Sequence, residues 1–496
     1  MISKPINEKT ANIVFLVLVF SFSFLIIKGF SLEFSDQNMY IYMGRLISEG
    51  KMPYRDFFFS HPPGEIYLDA LVFKLLGFKL WAFKLISLIA VLGTAWLLYI
   101  IARKQVSSVA GLISAAIFLI SYESIRIAAG NVGMALTVFL IVLSLHFALG
   151  KRYILSGLSI GLSLLFTLHA ALPAFCLFLY SFVSFQDSKA SFSLKNAGRF
   201  MLGFMVSFGM PNALLLTLAG MQYYSQVIIY HLDKPVSSFP GAKLGLFKLM
   251  LQYNWIIFLS AIMAIAMTSI PSAKKAMAET LSPNAKKMMY YILLMTAMYV
   301  FYLLFLKVIF PYYFFGMFPF LALLGGIGIY FVMQTKPRMK YVGLLATGLL
   351  ICLTGIFYFG QYYWTMDNTF SGNELEKLSR DIKVNGSDVS LFGDYLFAPA
   401  IALSTGKSIT ADIVDTNPFR FSAGSIDVDS MVKSLRDAGH VRLVLRKSNG
   451  FMLDYNETGE YLEAACKVTR ILEYTLPSYF GKNNVKDIAF LLDCKA

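Results

Sequence analysis

The sequence predicts an α-helical polytopic membrane protein that carries a C-terminal soluble α/β domain. Three observations predict it. The composition is 57% hydrophobic and only 15% charged, with a mean hydropathy of +0.63; apolar runs of membrane-spanning length recur as far as about residue 360; and the hydropathy is lost beyond that point. Residues 1–360 are therefore read as the transmembrane domain, with 31–80 as its first exterior loop, and 361–496 as an exported α/β domain.

A window of about 20 residues finds about eleven spans, centred on 11–30, 82–102, 107–122, 131–149, 153–169, 171–186, 200–219, 253–271, 289–307, 311–333 and 341–360. The first run follows a short charged N-terminus. It is too long for a signal-peptide core and lacks a small-x-small cleavage site, so it is expected to be a retained anchor.

Charge gives the orientation independently. With the N-terminus in the cytoplasm, one side collects Lys4, Lys9, Arg103, Lys104, Lys151, Arg152, Lys189, Lys195, Arg199, Lys274, Lys275, Lys286, Lys287, Lys336, Arg338 and Lys340, as the positive-inside rule requires. An odd number of spans then places the first loop, the loop from Gly220 to Gln252 and everything after Gln361 outside a cell membrane crossed many times. The net charge of +14 is accounted for by these loops, so no nucleic-acid partner is expected.

In the C-terminal region, Asp388 to Gly393 reads as a strand followed by Asp394, and Tyr395 to Ser404 has helical spacing. Asp429 to Ala438 reads as an amphipathic helix leading into the strand Val441 to Leu445. Tyr461 to Cys466 ends another helix, before strands near 468–475 and 487–493. This alternation predicts Rossmann-like layering, without a phosphate-binding glycine pattern. Cys176 and Cys352 fall within spans. Cys466 and Cys494 lie in the exported domain and can pair as a disulfide if their elements are neighbours. Asn385-Gly386-Ser387 and Asn456-Glu457-Thr458 are glycosylation sequons, meaningful only in a host that glycosylates exported proteins.

The first loop carries Asp36, Asp56, His61, Glu65 and Asp69 against an otherwise apolar background, and carboxylates kept at a membrane face call for a chemical reason. Met39, Tyr42, Met43, Leu46 and Ile47 recur at helical spacing after Asp36, and Gly50 ends the pattern, predicting an amphipathic surface helix with a carboxylate in its first turn. Met52-Pro53-Tyr54-Arg55-Asp56 reads as a turn and His61-Pro62-Pro63-Gly64 as a chain break. A second amphipathic helix follows from Glu65 to Leu76, with Glu65 and Asp69 on one face. Tyr223, Tyr224, Tyr230 and His231 read as a membrane-interface belt.

A span, an exterior Asp just after it, a surface helix, the PYRD segment and the HPPG turn together resemble the GT-C superfamily of integral-membrane glycosyltransferases. The resemblance is nearest to the branch of the protein O-mannosyltransferases and lipid A aminoarabinose transferases. It covers the chain in layout and rests in sequence mainly on 34–77, with a second patch from Lys307 to Gly326 where Lys307 and Tyr312 stand in place of the usual Arg and His. The resemblance implies a polyprenyl-phosphate-linked sugar as donor, a catalytic acid at Asp36 and inversion at the anomeric carbon. A second acidic residue, expected near the fourth span, is replaced here by Gly130-Asn131-Val132-Gly133, with Glu123 and Arg126 close by.

Transfer from a lipid phosphate sugar needs a base for the acceptor proton and cations for the phosphate. Asp36 is the expected base, and Lys307, Arg55, Arg126, His231 and Lys234 are candidate phosphate ligands. The acceptor is a glycan, lipid or protein, and membrane lipids surround the chain. Each residue also has a plainer reading: Asp36 as a helix cap, Asp56 as a turn anchor, His61 as a loop former, Glu65 and Asp69 as helix-surface carboxylates, Lys307 as a snorkelling side chain. Asp36, Asp56, His61 and Glu65 could supply oxygen and nitrogen ligands to a divalent metal, but their spacing matches no dedicated site and the branch resembled does not generally require one, so a metal is the weaker reading and no cofactor is firmly predicted. Two other classes compete: a transporter or flippase of lipid-linked saccharides, and a non-catalytic scaffold whose exported domain binds a partner. The first predicts charged or broken helices at mid-membrane and internal pseudosymmetry; the sequence shows no convincing repeat, and most ionisable residues cluster at span ends. The second leaves the loop carboxylates unexplained.

Overall fold

A computed structural model describes residues 8–32, 35–186, 189–235, 240–267, 271, 279, 281–335, 340–367, 379–380, 382, 389–447, 454–476 and 485–495. Phe34, Lys4, Lys274, Lys275, Lys336, Arg338, Asp388 and the Asn385-Gly386-Ser387 sequon lie outside the described residues. The chain packs into two units. One comprises Met1–Gly29, Lys84–Ala213 and Ser237–Tyr362; the other comprises Phe30–Phe83, Leu214–Val236 and Tyr363–Ala496.

Each expected span holds an apolar helix, although the one at 253–271 is only the second half of a bent pair that begins at Ala242, inside the loop expected from Gly220 to Gln252. Among the described residues, seven helices are long and apolar enough to cross a membrane: α1 (Glu8–Lys28), Leu80–Gln105, Val132–Leu149, Leu194–Ala219, Pro283–Phe305, Pro311–Gln334 and Val342–Thr365. Among the same residues, two bent helix pairs, Ser108–Ile120 with Tyr122–Ala128 at 70° and Ala242–Tyr253 with Trp255–Ala266 at 90°, have the shape of a broken span or of a re-entrant loop. Tyr153–Phe166 and Leu168–Phe182 are shorter than a full crossing. The expected span to 186 ends instead in a small antiparallel hairpin, β1 (Val183–Gln186) with β2 (Lys189–Phe192).

The two bends in the first unit support each other. Ser121 bends the first pair, its hydroxyl donating to the Phe118 carbonyl at 2.8 Å. The new helix start leaves backbone N–H groups without helical partners, and the Glu123 N–H donates to the side-chain oxygen of Asn254, the residue at the second bend, at 3.1 Å.

Small residues set helix spacing elsewhere in this unit. A Cβ on Gly157 would overlap the Phe200 carbonyl oxygen, and one on Gly203 would overlap that of Ile154, so the helices touch backbone to backbone. Gly157→Leu is expected to lower the thermal unfolding temperature of the detergent-purified protein, at a cost of about 1–3 kcal/mol. Gly198→Ala, where a Cβ meets no atom within 4 Å, should leave it unchanged.

The second unit is built on two helices, α2 (Asp36–Ser48) and α3 (Gly64–Leu76), within a residue or two of the expected bounds. Glycine ends each: Gly50 has φ +96 and Gly77 φ +65, a backbone region that other residues resist. The helices differ from expectation in burial. Glu65 and Asp69 are buried at 7% and 0% exposure, because α3 presents that face to α2, where a Cβ on Gly44 would lie 2.7 Å from that of Asp69. Burial and the neighbouring Glu65 carboxyl hold the proton affinity of Asp69 far above normal, and neither of its oxygens has a hydrogen-bond partner among the described residues.

The C-terminal part of this unit is a four-stranded sheet of order β3 (Ser390–Gly393), β4 (His440–Arg446), β6 (Val485–Lys495), β5 (Cys466–Leu476). Only β3 and β4 are parallel; the other pairings are antiparallel, so the Rossmann-like layering is confined to the crossover between β3 and β4. The helices Val428–Asp437 and Asn456–Ala465 match the sequence pattern. Met431, Leu435 and Tyr461 from these helices join Phe392, Val441, Leu443 and Leu492 of the sheet in one core. Cys466 and Cys494 are register partners on β5 and β6 and form a disulfide.

Candidate active site

Asp36 stands at the first position of α2, after an extended Ser35 that makes no side-chain cap. Among the described residues its carboxylate accepts no hydrogen bond, so it is not the cap that holds this helix. It keeps solvent-accessible surface although protein surrounds it, which describes a recess rather than a packed interior. A helix N-terminus by itself favours the ionised form. Here the opposite wins: loss of water, then Asp415 and Asp394, raise the carboxyl to about 6 against the pull of Arg446 and Lys234.

The neighbours come from three stretches of chain in the same unit. Asp394 sits at the carboxyl end of β3 and Arg446 at that of β4, and their side chains pair at 2.7 Å with 1% and 9% exposure. The second Asp394 oxygen accepts the Leu396 N–H at 2.9 Å. Gly393, at φ +134, permits the turn, since a Cβ there would overlap the Val444 carbonyl. Asp415 is 4% exposed, and its side chain accepts the Asn417 N–H at 3.0 Å. Burial raises its proton affinity; Arg420, that N–H and Lys234 oppose the rise.

Lys234 comes from the stretch after the Leu194–Ala219 span. Its ammonium lies 4.5 Å from the centre of the Tyr230 ring and 5.6 Å from that of Phe419. Loss of water lowers it to about 8, while Asp415 and Asp36 favour its charged form. Arg420 stacks 3.8 Å over Phe58, whose ring meets Tyr230 edge-on at 5.2 Å. Tyr395 is also near: after burial, Asp36 is the first of the charges that raise the proton affinity of its hydroxyl.

The first loop is clamped to the 214–236 stretch. Gln226 accepts the Phe59 N–H at 2.9 Å and donates to the Tyr54 carbonyl at 2.7 Å, which stabilises the left-handed Tyr54 at φ +70. His231 Nε2 donates to the Ser60 carbonyl at 2.7 Å, and burial lowers the ring to about 4, so it is neutral. Its ring lies 5.5 Å from that of His61. Tyr223 meets Tyr54 at 4.8 Å and Tyr230 meets Phe58, so these two tyrosines pack on the first loop; Tyr224 is 43% exposed.

The other sequence candidates fall elsewhere. Asp56 accepts the Met52 N–H at 2.7 Å and pairs with Arg55 at 2.8 Å on an exposed turn, and those bonds lower it to about 2. Glu123 and Arg126 belong to the first unit and pair at 3.2 Å with Glu123 fully buried. Lys307 follows the helix Pro283–Phe305, and Tyr312 stacks on Phe310 at 5.7 Å; both lie in the first unit. Among the described residues no group of three or more His, Cys, Asp or Glu side chains is placed to hold a metal ion.

Asp394, Asp415, Arg420 and Arg446 were not singled out from the sequence. One signal was available: parallel strands of α/β folds carry ligand-binding groups at their carboxyl ends, and both Asp394 and Arg446 stand there.

The fold compares with solved structures over nearly its whole length. ArnT from Cupriavidus metallidurans in the apo state is similar with a TM-score of 0.64 at 12% identity, covering 96% of this chain and 97% of that one. The same protein bound to undecaprenyl phosphate gives 0.63 at 12% identity, with 98% of each chain covered. The Archaeoglobus fulgidus oligosaccharyltransferase gives 0.48 at 12% identity, covering 87% of this chain and 67% of that one. The fold is that of the GT-C integral-membrane glycosyltransferases, on a multi-pass membrane chain. Within it, residues 60–210 match the family model described as Dolichyl-phosphate-mannose-protein mannosyltransferase. No curated protein sequence matches the chain.

Proposed function

We propose that the protein is a glycosyltransferase that moves a sugar from a polyprenyl-phosphate-linked donor to a hydroxyl acceptor, a glycan, lipid or protein, at the exterior membrane face. The observation that carries this reading is Asp36 itself: an accessible carboxylate that accepts no hydrogen bond among the described residues, raised to about 6 and accompanied in one unit by the ammonium of Lys234. The undecaprenyl phosphate bound by the similar ArnT supports a lipid-phosphate donor.

In this mechanism the acceptor oxygen attacks the anomeric carbon as the bond from that carbon to the phosphate oxygen breaks. The acceptor proton passes to the Asp36 carboxylate and the bonding pair leaves with polyprenyl phosphate, inverting the centre. Lys234 balances the phosphate charge. The N-terminus lies in the cytoplasm, and the oxidised Cys466–Cys494 pair suits a C-terminal region outside it.

The test is release of polyprenyl phosphate when the purified protein is given polyprenyl-phosphate sugars and an acceptor extract. Because Asp36 must be ionised to act, the rate should be half-maximal on the acid side near its value of about 6 and fall tenfold per pH unit below. Movement of a lipid-linked saccharide across a proteoliposome without transfer would favour the flippase instead.

A further inference from the structure

Near the fourth span, Glu123 is fully buried and paired with Arg126. The second unit holds another buried acidic group, Asp415. Asp415 opens a turn fixed on every side: Arg420 donates to its carbonyl at 2.7 Å, Thr416 donates to the Gly393 carbonyl at 2.7 Å, and the Asn417 N–H reaches its carboxylate. The same turn brings Phe419 to Lys234 and Arg420 to Phe58, so the first loop, the 214–236 stretch and the C-terminal region meet around it.

Resting on the glycosyltransferase reading for its catalytic part, we infer that Asp415 is a positioning residue of the active site, which joins Lys234 and Asp36 in one charged cluster. The groups facing Asp36 are Asp415, Asp394, Arg446, Lys234 and Tyr395; those facing Asp415 are Arg420, Lys234, Asp36, Tyr230 and Tyr395. Asp415 acts on both functional groups with one sign, because its negative charge favours the protonated form of Asp36 and of Lys234 alike. It thereby keeps a base that holds protons firmly beside a lysine that stays charged, a combination that neither residue achieves alone. Asp394 is different in kind: its charge acts on Asp36, and its carboxylate is committed to Arg446.

The test uses the full chain in detergent and needs no substrate. Lys234 is labelled competitively with acetic anhydride across pH and read by mass spectrometry. Asp415→Asn is expected to lower the labelling midpoint by about one pH unit, giving about threefold more labelling near pH 7.5. Asp415→Glu, which keeps the charge, should restore the midpoint. Where transfer is measurable, both limbs of the pH–rate profile of Asp415→Asn should move to lower pH together, a shift that lost packing alone does not produce. If Asp415→Asn does not accumulate, Asp415→Ser gives the same neutral site in a smaller side chain. A midpoint unmoved in the neutral variant overturns the inference. A lowered midpoint with no transfer from any donor upholds the cluster and overturns the glycosyltransferase reading.

Discussion

Asp36→Asn is expected to reduce glycosyl transfer by about 10²–10⁴-fold while changing the donor KM only slightly. The amide nearly matches the carboxylate in shape, so helix α2 should keep its place. Among the described residues Asp36 accepts no hydrogen bond that the substitution could break. What is lost is a site for the acceptor proton. Because that proton moves in the transition state and not on binding, the deficit belongs in kcat. Asp36→Glu should recover part of the rate, since the base returns one methylene out of place. Steady-state transfer with purified protein and matched melting temperatures would measure this, and full activity in Asp36→Asn would falsify the assigned base.

The second large effect is on stability. Arg446→Met is expected to cost about 3–5 kcal/mol, because it strands the Asp394 carboxylate, at 1% exposure, without its charged partner. The pair joins the carboxyl ends of β3 and β4, so its loss should loosen the edge of the sheet that lies nearest Asp36. Arg446→Met combined with Asp394→Leu should be much closer to wild type, since no charge is then left buried. Thermal unfolding of the detergent-purified protein, followed for the single and double variants, checks the order. Equal melting of Arg446→Met and wild type would show that the pair contributes nothing measurable.

Much of the architecture was legible because its signals are local. Membrane spans are runs of apolar residues, and among the described residues seven helices, or nine with each bent pair taken as one, reach the length of a crossing against the eleven spans expected, because a short apolar run signals burial as well as a crossing. The bounds of α2 and α3 were set by Asp36, Gly50, the Pro62-Pro63 break and Gly77, each acting on the backbone of its own neighbourhood. Burial was less legible. Glu65 and Asp69 at helical spacing look like a solvated face until α2 is packed against them through Gly44. In the same way, nothing in the sequence of 223–230 shows that the rings of Tyr54 and Phe58 pack against Tyr223 and Tyr230.

By itself the sequence determined the membrane class and the elements of the C-terminal sheet, and it offered Asp36 as a candidate, because hydropathy, turn chemistry and a carboxylate just beyond a span are properties of adjacent residues. The tertiary structure alone decided the company that Asp36 keeps. Asp394, Asp415 and Arg446 lie hundreds of residues away in the chain, and electrostatic coupling depends on distance in space, which no spacing in the sequence encodes. Burial first, and that coupling after it, turn an ordinary carboxylate at a helix start into one raised to about 6, and the coupling makes the C-terminal region part of the candidate site.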